Sequence, residues 1–81
     1  MVEKGFPRYP VIDVRATGAH IRELRHERGY AVSELQQYFG FASPQSVYHW
    51  ENGASMPRID NLYALSVLLN TTINEIIICK K

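Results

Sequence analysis

One cysteine in 81 residues, Cys79, leaves no partner for an internal disulfide, and no cluster of Cys and His stands at zinc-finger spacing to replace one. A fold without such staples is expected in a reducing cytoplasm. Long apolar runs are missing as well. No window approaches the roughly 18 apolar residues of a membrane span, and Met1-Val2-Glu3-Lys4-Gly5-Phe6 lacks the apolar core of a signal peptide. A soluble, unsecreted chain is therefore expected. Excess charge of one sign is lacking too, since nine Lys and Arg against eight Asp and Glu leave a net +1. That balance excludes a cationic coat for indiscriminate nucleic-acid binding, but not sequence-specific reading.

What remains is one small domain with a thin core, for which a partner would add stability. Gly5, Pro7 and Pro10 suit an extended arm over residues 1–16, within which Val11-Ile12-Asp13-Val14 is β-prone. The domain proper is expected over residues 17–79. Thr17 reads as the N-cap of a first helix that carries Ile21 and Leu24 one turn apart and stops at Gly29. Val32, Leu35 and Phe39 make a second, two-turn amphipathic helix closed by Gly40. Ser43-Pro44 reads as N-cap and first residue of a third helix running through Val47 and Trp50 to Asn52-Gly53. After Pro57 comes a fourth helix with Ile59, Leu62, Tyr63, Leu65, Ser66 and Leu69, for which Asn70 suits a left-handed cap. Thr72-Ile73-Asn74-Glu75 matches a capping box that opens a fifth. The run Ile76-Ile77-Ile78-Cys79 fits either a helix end or a strand against Val11 to Val14. Five helices with short loops give an all-α domain.

The second and third helices have the lengths and the tight connection of a helix-turn-helix. Leu35, Phe39, Val47 and Trp50 hold such a pair together and leave Gln45, Ser46, Tyr48 and His49 mostly outward, as a helix entering a major groove requires. Specific residues then match a known family. Ile21-Arg22-Glu23-Leu24-Arg25, Glu34-Leu35, Gly40, Val47-Tyr48-His49-Trp50-Glu51-Asn52-Gly53, Pro57 and Asn61-Leu62-Tyr63-Ala64-Leu65 resemble the Cro and lambda-repressor (XRE) helix-turn-helix regulators, from Gly18 to Ile77.

The resemblance implies a five-helix lambda-repressor-like DNA-binding domain behind an extended arm. It also implies a homodimer, usually a repressor, on a double-stranded DNA operator. Base contacts fall to Pro44, Gln45, Ser46 and His49. A Gln45 amide can pair bidentately with adenine, and His49 can donate to guanine. Backbone contacts fall to Ser43, Tyr48, Asn52 and Arg58, although Tyr48 also fits a packing role. Arg25 and Glu51 match a structural ion pair. Departures from the pattern are Val32, where the family often has a hydrogen-bonding Gln, and Ala31, where a missing Ser or Thr cap costs about 1 kcal/mol. The turn from Gly40 to Pro44 is one residue longer than the commonest one in the family.

Other chemistries find little footing. His20, His26 and His49 do not stand at metal-ligand spacing, so no metal is expected. Cys79 has only Lys80 and Lys81 nearby and is read as an unreactive thiol. Ser43, Ser46 and His49 share a helix without an Asp or a Gly-rich loop to complete a catalytic arrangement, so no enzyme is expected. Nothing in the chain points to a cofactor or a small-molecule ligand. Trp50 is read as core.

Charge is unevenly distributed. Lys4, Arg8, Arg15, Arg22, Arg25 and Arg28 lie in the first 30 residues, whereas residues 31–79 hold Arg58 alone against Glu34, Glu51, Asp60 and Glu75. Attraction to phosphate must then come from the arm, the first helix and helix N-termini. The acidic motif and Val32 leave a second reading open, an antitoxin-like or adaptor module that keeps the fold and binds protein. Cations flanking the third helix would favour DNA. The dimer surface is assigned to the fifth helix and Ile76 to Ile78, with closure of the monomer core by the same residues as the alternative.

Overall fold

The computed structural model describes residues 4–81, so the first three residues of the expected arm lie outside the described residues. Five helices follow the extended arm: α1 (Val14–Glu27), α2 (Val32–Phe39), α3 (Gln45–Glu51), α4 (Ile59–Leu68) and α5 (Ile73–Ile76). Among the described residues no helix is long and apolar enough to cross a membrane.

α1 begins earlier than its sequence suggests. Its N-cap is Asp13, whose carboxylate accepts from the Ala16 N–H at 2.9 Å, and not Thr17. Thr17 is fully buried, and its hydroxyl is committed elsewhere: it accepts from the Ile78 N–H at 2.9 Å and donates to the Ile78 carbonyl at 3.3 Å. A hydroxyl at that depth needs partners, and the returning extended C-terminal segment supplies them.

That segment ends the Ile76 to Cys79 run neither as a helix nor as a strand but as extended chain with one isolated bridge. α5 stops at Ile76, and the chain then extends antiparallel to the arm. It forms a single bridge between Ile12 and Cys79, with Asp13 N–H on the Ile78 carbonyl at 2.8 Å and Lys80 N–H on the Val11 carbonyl at 2.7 Å. Ile76 is fully buried and Ile77 packs against the core, so these two close the monomer.

The core gathers Ile21 and Leu24 of α1, Leu35 of α2, Val47 and Trp50 of α3, Leu62 and Leu65 of α4, Leu69 and Ile76. Trp50 lies within it. Phe39, Phe41 and Trp50 interlock around the α2–α3 turn, with Phe39 stacked on Phe41 at 5.3 Å and edge-on to Trp50 at 5.3 Å. Such contacts add to area burial and fix the angle between the two helices. Gly40 opens the turn with φ 72°, a left-handed conformation that lets the Phe41 N–H reach the Gln36 carbonyl at 3.0 Å.

The α3 start also differs from expectation. Pro44 is the N-cap, α3 begins at Gln45, and Ser43 makes no capping bond because it lies one residue further back in the exposed turn. The missing cap at Ala31 is half replaced: the Glu34 carboxylate accepts from the Ala31 N–H at 2.9 Å. Asn70 takes the left-handed conformation with φ 52°. Thr72 caps α5 by accepting from the Glu75 N–H at 3.2 Å, while the Glu75 carboxylate turns to the Thr71 hydroxyl instead of completing the box.

α1 and α3 pack closely because two glycines permit it. A Cβ on Gly18 would collide with the Trp50 carbonyl, and one on Gly53 would lie 2.7 Å from Arg15 Cα. Both contacts fix the far end of α3 against α1.

Candidate nucleic-acid interface

With residues about 100° apart around a helix, Val47 and Trp50 occupy the buried side of α3, and Gln45, Tyr48, His49 and Asn52 the opposite, exposed side. Gln45 and His49 are one turn apart on that open face. Ser46 is rotated toward the protein and half-buried, and Pro44 is half-buried at the head of the helix. Of the four residues assigned to base edges, the structure thus brings two fully to the surface. Ser43 lies exposed in the turn before them. Arg58 is exposed at the N-cap of α4, beyond the α3–α4 loop.

Arg25 and Glu51 anchor this arrangement from behind. Arg25 Nε donates to Glu51 Oε2 at 2.7 Å and Nη2 to Oε1 at 3.0 Å, with both side chains under a tenth exposed. Arg25 Nη1 also holds the Tyr30 carbonyl at 3.0 Å, so one guanidinium ties together α1, the α1–α2 loop and the end of α3. The hydrogen bond to Glu51 raises the Arg25 pKa above its ordinary value against the opposing effect of burial. Its charge is permanent.

The sequence assigned phosphate attraction to the first helix as a whole, Arg22 included, and considered His26 only as a metal ligand. Both line a cleft of about 390 Å³ with Arg25, Val32, Tyr48, Glu51 and Asn52, where α1, the start of α2 and the end of α3 meet. Arg22 and His26 are exposed, and among the described residues Arg22 makes no ion pair. Their spacing was the available signal: positions 22, 25 and 26 stand i, i+3 and i+4, which puts all three on one side of α1. Arg28 is placed differently, its Nε donating to the Leu69 carbonyl at 2.8 Å at the end of α4. The cations of the second half of α1 and its C-cap therefore divide. Arg25 and Arg28 hold the fold together, and Arg22 stands beside the outward face of α3.

No group of three or more His, Cys, Asp or Glu side chains lies together as a metal site would require, among the described residues. Cys79 is free and exposed.

Two interlocked short helices, a left-handed glycine at the turn and an open polar face on the second helix define a helix-turn-helix domain of the lambda-repressor-like class. Residues 21–76 match the helix-turn-helix family model HTH_3, and the chain belongs to this family of DNA-binding regulators. Solved structures agree. The restriction-modification controller protein C.AhdI from Aeromonas hydrophila is similar at 25% identity and a TM-score of 0.70, over 79% of this chain and 96% of that one. SinR, a master regulator for biofilm formation solved in complex with DNA, is similar at 26% identity and a TM-score of 0.65, over 74% and 95%. The clp gene regulator ClgR from C. glutamicum shares the fold at 22% identity and a TM-score of 0.67, over 76% and 79%. No curated protein matches the chain in sequence.

Proposed function

We propose that the protein is a transcriptional repressor of the cytoplasm that binds a palindromic operator as a homodimer, inserting α3 into the major groove and blocking transcription by occupancy. The observation that carries this reading is the exposure of Gln45 and His49 one turn apart on α3, opposite a face sealed by Val47 and Trp50. Gln45 pairs with adenine N6 and N7, and His49 donates to guanine N7 or O6. Pro44 and Ser46 touch neighbouring base edges at the head of the helix. Ser43, Tyr48, Asn52 and Arg58 hold the sugar-phosphate backbone on either side, and they set register without carrying sequence information.

Support also comes from the cleft beside α3, where Arg22 supplies a positive charge that residues 31–57 lack. The similarity to SinR, solved on DNA, points the same way. In this reading the domain has no catalytic role. The test is fluorescence anisotropy on an operator selected from random duplexes. Gln45→Ala and His49→Ala should each relax preference at separate base pairs, by about 1–3 kcal/mol per lost contact. Unchanged preference in both variants would sink the groove assignment.

A further inference from the structure

One apolar surface left uncovered lies on α4. Ile59, Tyr63 and Val67 stand four residues apart, which aligns them on one helix face, and they are 72%, 64% and 59% exposed. Beside Tyr63 opens a cleft of about 400 Å³ lined by Ser66 and by Thr71 to Asn74. An exposed apolar stripe next to a recess marks a contact surface.

The second uncovered surface is the arm. Phe6 and Tyr9 are 92% and 87% exposed, the most exposed large apolar side chains described. The radius of gyration, 14.9 Å, exceeds the roughly 12 Å of a compact chain this long. Principal extents of 57 × 23 × 21 Å agree that the arm stands off the body. Pro7 and Pro10 favour a polyproline II path, which repeats every three residues and so sets Phe6, Tyr9 and Ile12 along one edge. An arm pre-ordered in this way loses little entropy on docking.

The two surfaces are complementary in charge. Residues 4–12 carry Lys4 and Arg8 and no acid, whereas residues 59–79 carry Asp60 and Glu75 and no Lys or Arg. The stretch between Arg58 and Lys80 thus carries acid alone, which attracts a basic aromatic strand.

We propose that the arms are exchanged in the dimer: Phe6 and Tyr9 of one copy dock on the Ile59, Tyr63 and Val67 face of the other, with Lys4 and Arg8 directed to Asp60 and Glu75. Two-fold symmetry makes the contact reciprocal and closes the assembly at two chains. This rests on the homodimer reading above and supplies its interface, which the sequence had assigned to α5 and Ile76 to Ile78.

Sedimentation equilibrium on the full chain tests it. The wild type should be a dimer that weakens with salt. The double variant Phe6→Ser with Tyr9→Ser, and separately Val67→Glu, should each raise the dimer dissociation constant roughly tenfold or more. An equimolar mixture should recover part of the association, because the first variant keeps an intact stripe and the second an intact arm. A monomeric wild type overturns the proposal and the homodimer reading together. An arm variant that dimerises like wild type overturns arm exchange alone, in favour of symmetric α4 packing. If that variant instead loses DNA affinity while still dimerising, the arm serves DNA and the proposal is equally overturned.

Should Val67→Glu prevent folding, disulfide trapping in a Cys79→Ser background replaces it. Chains carrying Tyr9→Cys mixed with chains carrying Tyr63→Cys should give the mixed covalent dimer, and its absence counts against exchange. Sequence preference on DNA, read through Gln45, stands apart from all of these outcomes.

Discussion

Arg25 and Glu51 meet in a two-pronged ion pair at 2.7 and 3.0 Å, largely shielded from water, and join the last turn of α1 to the last residue of α3. Removing one partner strands the other charge in a site with little solvent. Arg25→Met should therefore cost about 3–5 kcal/mol in urea denaturation, and Arg25→Met with Glu51→Met should cost less than either single change. A single-variant loss under about 0.5 kcal/mol, the usual size of a surface change, would refute a buried structural role. The raised Arg25 pKa sets the sign of the pH dependence. Its contribution is complete below the arginine value of the unfolded chain and disappears only as pH climbs through the higher folded value. Titration of Arg25 should thus leave stability unchanged across the neutral range.

Gly18 controls how closely α1 crosses α3, since any side chain there runs into the Trp50 carbonyl. Alanine favours a helix interior by about 1 kcal/mol over glycine. Here the overlap should reverse the sign. Gly18→Ala is expected to destabilise by about 1–3 kcal/mol in thermal or urea unfolding, because backbone cannot yield as a side chain would. A more stable variant would show that the two helices are free to separate.

Thr17 fastens the extended C-terminal segment. Thr17→Val keeps the shape but leaves the Ile78 N–H without its acceptor, for an expected loss of about 1–3 kcal/mol. Amide exchange at Ile78 should accelerate more than at Leu65, which is buried in α4. Equal acceleration at both would mean that the segment does not open separately from the core.

Arg22 should act on DNA through charge alone. Arg22→Ala is predicted to weaken binding uniformly across operator sequences and to lower the slope of log affinity against log salt by about 1. Folding should be untouched, as the side chain is exposed. A change confined to one base pair would instead place Arg22 in the groove.

Much of this protein was legible along the chain. Helical periodicity placed α2 and α4, Asn70 and Thr72 marked the ends they cap, and the spacing of Leu35, Phe39, Val47 and Trp50 showed which faces meet. These are local signals, set by 3.6-residue geometry and by which residues tolerate a cap. Thr17 and Ser43 misled for the same reason: both have capping chemistry. Yet Asp13 stands closer to the true start of α1, and Pro44 occupies the cap position of α3.

The sequence by itself determined the element order, the buried stripe of each helix and the outward placement of Gln45 and His49, because each follows from residue type and period. Only the tertiary structure decided that Ile76 to Cys79 ends as an extended segment bridged to the arm. A β-branched run accepts either conformation, and the Thr17 hydroxyl and the arm backbone, both distant along the chain, select one. It likewise divided the cations of the second half of α1 and its C-cap, sending Arg28 to the end of α4 and leaving Arg22 beside α3, since the partner of a long side chain depends on which helix packs next to it.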